Sequence, residues 1–530
     1  MLDFFKKIKF IYFFWFFFYL FILFLLWRGA ASYLDPDFGW HLSVGQEIAV
    51  SGQVPGANHY NYTYTGNWVD HEWLSNLIIA NIYEVFCYQG LIFLFSLLVV
   101  LALIWLNLLF RFIAGRNSSE ILIAVLQVFG LMAAWPHFGV RVQQVALLFL
   151  LGLLIILYFY DQSRRWIWLL PLPLLFYLWA NLHASFLMGL AVLLFWLGVK
   201  GAVWLLAKTR LSFRLADQII SRRQVLAVSV FFALSLAATL FTPYRLELYA
   251  FLSDYGNTVY QSYIMEWLSQ FSYPFYYWQL LYLAFVGTAI FLSLYFAFGR
   301  EKKPLNFWHL ALAGLFFLLS FQSRRHFPLL FVASFPLFAS LAANFSLSHR
   351  RHFSHWPLWL KGYLIICLSV ASLLQIYLID FRLDPRRDFS GDYPVAAADF
   401  LCRDNSTAAG NLFSEYVWGG YLIWTCPQRR LFIDGRLPQV PYAGHTFLEE
   451  YLEFLKSDAD YQAKLDQYDI SLVLIKSPQP DLKAKPWEKL LFQVTDADLS
   501  QRSHFREYLE MSPAWSRLYS DDTAVIYSRQ

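Results

Sequence analysis

Charge is scarce in this chain. Of its 530 residues only 15% are Asp, Glu, Lys or Arg, where soluble domains carry about a quarter. No G-x-x-x-x-G-K-[ST] run and no strand-linked G-x-G-x-x-G occurs, so no nucleotide cofactor is predicted. C-x-x-C and H-E-x-x-H are also missing, which removes the common redox and zinc-hydrolase patterns. The net charge is only +4 and no long Lys/Arg run is present. Nucleic acid is therefore not an expected partner. Cysteine is scarce, with four in all. Cys87 and Cys367 lie in or beside apolar blocks. Cys402 and Cys426 fall in the polar tail, where export would make a disulfide between them a candidate.

What the chain has instead is apolar: 58% of residues are hydrophobic and 20% aromatic. They gather in blocks of roughly 18 to 25 residues, the length that crosses a hydrocarbon core. Eleven spans account for the pattern, at about 8–30, 89–111, 119–136, 141–160, 166–181, 184–206, 224–243, 277–299, 305–322, 326–346 and 357–380. The first has no clean small-residue cleavage site after it and reads as a retained helix rather than a signal peptide. The expected fold is an α-helical polytopic membrane protein (1–381) with a C-terminal extracytoplasmic α/β domain (382–530).

Basic residues set the orientation. Lys6, Lys7 and Lys9 precede the first span, and alternate loops carry Arg111 and Arg116; Arg164 and Arg165; Lys208, Arg210, Arg214, Arg222 and Arg223; Arg300, Lys302 and Lys303; Arg350 and Arg351. The positive-inside rule makes that side cytoplasmic. An odd span count then puts the tail outside, in a protein of the cell (inner or plasma) membrane.

The opposite loops are of another kind. A long first outer loop (31–88) holds Asp35-Pro-Asp37-Phe-Gly-Trp-His41 and Val69-Asp70-His71-Glu72-Trp-Leu74. Asp37 and His41 share a helix face by spacing. Residues 74–86 form an amphipathic stretch suited to the interface. Carboxylates beside a membrane serve either as a general base toward a hydroxyl, with desolvation raising the pKa, or as ligands of a divalent cation such as Mg or Mn. Capping of the helix that starts at Phe38 is the competing role for Asp35 and Asp37. A second outer loop (244–276) carries Glu266, and short turns carry Arg141, His183 and the Arg324-Arg325-His326 cluster. These are candidates for binding a phosphate, since arginine forks suit that group. Snorkelling, or a hydrogen bond to a neighbouring loop, is the equal alternative for Arg141 and His183.

In the tail, Phe432-Ile-Asp434, Ser471–Ile475 and Thr523–Tyr527 read as strands and 447–455 as a helix. Asp434-Gly-Arg436 reads first as a turn with a structural ion pair.

The segments Asp35–His41, Val69–Leu74, Trp179-Ala-Asn-Leu-His183, Thr242-Pro-Tyr244, Glu266-Trp267, Trp418-Gly-Gly-Tyr421 and Phe432–Arg436 resemble a group of bacterial polytopic membrane proteins. In architecture the chain resembles the GT-C glycosyltransferases. That resemblance implies a hexosyltransferase taking a sugar from a polyprenyl-phosphate-linked donor to a glycan, lipid or protein acceptor on the outer face. The family's first-loop base or metal ligand would fall on Asp37 with Asp35 beside it, or on Asp70 and Glu72. His41, His71, Arg141, His183, Glu266, Arg324, Arg325 and His326 would then meet the substrate. The motif is D-P-D followed by histidine rather than the D-E pair of the mannosyltransferases, which leaves base and metal undecided. A flippase of a lipid-linked glycan and a non-catalytic envelope polysaccharide assembly factor are the alternatives. The first calls for ionisable residues at mid-membrane depth or an internal repeat, and neither is seen.

Overall fold

The structure is a computed structural model describing residues 10–115, 118–206, 219–254, 259–298, 306–344, 357–403 and 410–530. Lys6, Lys7, Lys9, Arg116, Lys208, Arg210, Arg214, Arg300, Lys302, Lys303, Arg350 and Arg351 lie outside the described residues. The chain forms two compact units, one of residues 1–32, 92–245 and 266–381, the other of 33–91, 246–265 and 382–530.

The first unit is a helical bundle. Helices occupy all eleven predicted spans among the described residues, because a backbone in hydrocarbon must satisfy every N–H and C=O within itself. Eight are long and apolar enough to cross a membrane; Trp166–Leu182 and Phe307–Gln322 are shorter apolar pieces. Arg222–Ala238 has only 17 residues. Phe129, Tyr282 and Phe331 stack edge to face at the bundle centre, and the Tyr282 hydroxyl lies 2.8 Å from Ser334 Oγ. Gly130 makes room for the Phe331 ring, which would meet a Cβ at 2.0 Å. Helix Phe10–Ala31 packs on Leu358–Tyr377, with Trp27 edge-on to Phe381 and Arg28 donating to Gln375 at 2.8 Å.

The second unit combines the first long loop (33–91), residues 246–265 and the tail. Its sheet has the order β1-β4-β6-β5, from β1 (Asn411–Ser414), β4 (Ile470–Lys476), β5 (Trp515–Ser520) and β6 (Ala524–Arg529). β1 lies parallel to β4, whereas β6 runs antiparallel to both β4 and β5. A small ribbon joins β2 (Pro441–Tyr442) to β3 (His445–Thr446). β4, nearly all apolar, is central and buried, as such a run should be. Phe413, Phe432, Phe454 and Phe505 fill the core beside it.

One predicted strand is corrected. Phe432-Ile-Asp434 is not a strand: Leu431 alone makes isolated bridges, to Asn61 and Leu412. Asp434 ends the extension, since its carboxylate takes the Arg436 N–H at 3.0 Å and its carbonyl takes the Leu437 N–H at 3.2 Å. Residues 74–86 form the first part of helix Trp73–Ala114, which is interrupted at Cys87, where φ is 53°. Cys402 and Cys426 are disulfide-bonded, and Cys87 and Cys367 are free.

Helix Phe38–Ser51 is held by glycine crossings. A Cβ on Gly39 would meet the Gly420 carbonyl oxygen at 2.1 Å, one on Gly420 the Pro36 oxygen at 2.1 Å, and one on Gly45 the Asn76 oxygen at 2.0 Å. Each neighbour is backbone and cannot swing away. Gly39→Ala should therefore destabilise by about 1–3 kcal/mol, seen as a lower melting temperature in detergent. Gly198→Ala, whose Cβ meets nothing within 4 Å, should leave the melting temperature unchanged or slightly raised.

Candidate functional site

Four of the motifs meet in the second unit. The chain enters helix Phe38–Ser51 through Asp35, which is 6% exposed and accepts the Asp37 N–H on Oδ1 at 3.0 Å. Asp35 thus shapes the turn that precedes the helix. Asp37 occupies the cap position but makes no side-chain cap bond. Its Oδ1 accepts the Trp40 indole N–H at 2.9 Å and lies where a Cβ on Gly435 would come within 2.2 Å. A side chain at 435 would force that carboxylate to move.

Trp40 stands edge-on to Trp68, and Trp68 lies under the Arg436 guanidinium, 4.7 Å from its ring centre, with Tyr60 at 4.5 Å. Arg436 binds Asp434 through Nε at 2.8 Å and an Nη at 2.7 Å, and that Nη also donates to Asn58 and Asn61 Oδ1 at 3.1 Å.

The second acidic motif opens helix Trp73–Ala114. Asp70, fully buried, accepts the Glu72 N–H at 3.2 Å and both oxygens accept the Asn76 amide, at 3.0 and 2.8 Å. Asn76 Oδ1 lies 2.6 Å from His41 Nδ1. Glu72 stands between two imidazoles, with Oε2 3.6 Å from His41 Nε2 and Oε1 3.6 Å from His71 Nε2. Burial lifts the Asp70 carboxyl to about 7 against its hydrogen bonds and the pull of Arg436. Burial likewise drops His41 to about 4, so the imidazole is neutral at pH 7 despite its Asn76 bond.

The predicted phosphate-binding residues belong to the first unit. Arg141 pairs with Glu266. Burial works to raise the Glu266 carboxyl, yet Arg141 and Arg325 hold it down near 2. The Glu266 carbonyl takes the Arg325 N–H at 2.9 Å, and Arg325 lies over Trp267. Arg324 is wholly buried; it donates to the Ser272 carbonyl and lies over Tyr276, so it holds the loop. His326 follows in the same turn. His183 stands apart from this group, with Nδ1 2.7 Å from Ser185 Oγ.

Oδ1 of Asp35 and Oδ1 of Asp37 accept the Asp37 N–H and the Trp40 indole N–H, and among the described residues no three His, Cys, Asp or Glu side chains form a metal-holding group. Sequence reading missed Asn58, Asn61 and Asn76. A lone Asn in a turn-rich loop or a helix's first turn gives no signal beyond local turn chemistry.

No protein-family model matches the chain and no curated protein matches it. Among solved structures it resembles the mycobacterial arabinofuranosyltransferase AftD, with a TM-score of 0.50 and 13% identity over 96% of this chain and 41% of that one. The chain thus spans less than half of that enzyme's length. It also resembles the oligosaccharyltransferase of Archaeoglobus fulgidus: the apo form gives a TM-score of 0.45 at 11% identity, over 97% of this chain and 74% of that one. The complex of that enzyme, AglB, with an inhibitory peptide and a dolichol-phosphate gives 0.46 at 11%, over 86% and 69%. At these identities the likeness is one of fold. The chain shares its fold with AftD.

Asp70 and His41 impose opposite pH dependences. With the folded pKa of Asp70 raised, the folded state holds a proton between about pH 4 and 7 that the unfolded state lacks, so its contribution to stability grows as pH falls. With that of His41 lowered, the unfolded state holds the extra proton between about pH 4 and 6.5, and its contribution is lost as pH falls. Asp70→Asn should therefore make the protein more acid-labile than wild type across pH 6.5 to 4, and His41→Gln less so. The difference is on the order of 1 kcal/mol per pH unit, read from melting curves against pH.

Proposed function

We propose that this protein is a membrane glycosyltransferase that moves a hexosyl unit from a polyprenyl-phosphate-linked donor to an acceptor hydroxyl on the outer face of the membrane. The observation that carries the reading is Glu72, a buried carboxylate with an imidazole against each oxygen, in a chain of GT-C-type fold. A general base toward a hydroxyl needs a desolvated carboxylate with groups beside it that can share the proton.

The acceptor oxygen attacks the anomeric carbon and a new C–O bond forms. The bond from that carbon to the phosphate oxygen breaks, and the phosphate leaves with both electrons. The hydroxyl proton passes to Glu72. Asp37, half-buried beside Gly435, is the other carboxylate for the same task, and Asp70 holds the cluster in place. In the first unit, Arg141 pairs with Glu266 and Arg325 lies over Trp267, a basic pair of the kind that suits a phosphate. The donor brings its energy in the phosphate linkage, so no nucleotide is needed, and no step is routed through a metal ion. The dolichol-phosphate held by the Archaeoglobus fulgidus AglB structure is the chemical class meant for the carrier. The orientation follows from the basic loops: N-terminus cytoplasmic, tail extracytoplasmic.

Membranes carrying the full chain should transfer label from a polyprenyl-phosphate-sugar pool. Glu72→Gln should lower turnover at least about 100-fold at equal expression, and Asp37→Asn by a smaller factor if Glu72 is the base. A larger loss for Asp37→Asn moves the base to Asp37. Wild-type membranes that move no label across a broad donor panel would refute the reading in favour of an assembly or transport role.

A further inference from the structure

We infer that Asn76 is a positioning residue that, backed by Asp70, fixes the tautomer of His41 so that Nε2 faces Glu72 as a proton acceptor. The inference rests on the glycosyltransfer reading of this site and names how the Glu72 cluster is set for it.

Donors and acceptors fix the assignment. A carboxylate only accepts hydrogen bonds. Both Asp70 oxygens lie on the same Asn76 nitrogen, at 3.0 and 2.8 Å, which makes that atom the amide NH2. The Asn76 oxygen therefore points the other way, to His41 Nδ1 at 2.6 Å. An amide oxygen also only accepts, so Nδ1 must carry the hydrogen. A neutral imidazole has one N–H, and the lone pair is left on Nε2, 3.6 Å from Glu72 Oε2. Asp70 and Asn76 are both fully buried, so water does not compete for either end of this chain of bonds. The crossing at Gly45, where a Cβ would strike the Asn76 backbone oxygen at 2.0 Å, brings the two helices close enough for it.

The tautomer decides what Glu72 can do. With Nδ1 protonated, the proton that leaves the acceptor hydroxyl settles between Glu72 Oε2 and His41 Nε2, while the electrons of the broken O–H bond stay on the acceptor oxygen. The Nδ1–H bond to Asn76, with the Asp70 carboxylate behind it, stabilises the imidazole as it takes up positive charge. With the other tautomer, Nε2–H would already donate to Glu72 and weaken it as a base. The logic is that of a base held by a third group, with Asn76 interposed between carboxylate and imidazole.

Nitrogen-15 NMR of the full chain labelled at histidine tests this directly, with the His41 signals assigned by their loss in His41→Gln. The expected wild-type spectrum has Nδ1 protonated and Nε2 bare at pH 7.5. Asn76→Leu should shift His41 to the Nε2–H form and lower kcat at least about tenfold with KM unchanged. Asp70→Asn keeps the shape but lets the Asn76 amide turn over, so a mixture of tautomers is expected even if Asn76→Leu folds poorly. A wild-type His41 protonated on Nε2, or one that keeps Nδ1–H in both variants, overturns the inference. The spectrum needs no donor: a chain with the expected tautomer that transfers no sugar defeats the glycosyltransfer reading and leaves the tautomer assignment standing.

Discussion

Arg436 is the group on which the second unit depends. Its guanidinium is 3% exposed, and a buried charge is tolerated only when paired and hydrogen-bonded. Asp434 supplies the opposite charge from two residues away. The loop between the first two spans supplies four more contacts: Asn58 and Asn61 accept from the guanidinium, and Tyr60 and Trp68 cover its faces. The tail thus contributes a charge pair that cannot stay buried alone, and the loop contributes polar and aromatic lining for it. Binding the pair orders the loop. Trp68 then sets Trp40, and Trp40 holds Asp37 against Gly435.

The glycines complete what the arginine starts. Gly39, Gly45 and Gly420 let three segments cross at backbone distance, closer than side chains allow. The result is that Asp37, His41, Glu72 and Asn76, from two sequence motifs separated by some thirty residues, are held by packed helices rather than by a free loop. A base must be held to within a fraction of an ångström to act, and helices do this better than loops.

What the sequence made legible follows from which constraints are local. The spans were readable because hydrocarbon forces long uniform apolar runs, and every predicted span carries a helix. The strands at 470–476 and 524–529 were readable from their apolar content. Phe432-Ile-Asp434 looked the same over three residues, but the Asp434 turn that ends it depends on Arg436 and on Asn61, far away in the chain. The acidic motifs stood out because charge is rare near a bilayer. Their second partners did not: nothing local separates Asn76, which orients His41, from any helix-start asparagine. Arg324 reads from its turn as a candidate phosphate ligand, and its guanidinium lies on the Ser272 carbonyl and the Tyr276 ring, contacts that no local pattern announces.

The account stands or falls on whether the buried Arg436 orders the loop that carries the acidic motifs. Hydrogen exchange followed by mass spectrometry, on the full chain in detergent, reads this segment by segment in wild type and Arg436→Gln. The account predicts that residues 52–72 exchange at least about tenfold faster in the variant, while the bundle helices, Tyr277–Phe298 among them, keep their protection. Unchanged protection across 52–72 in a variant that still folds would contradict it, and would mean that the glycine crossings alone hold the acidic motifs.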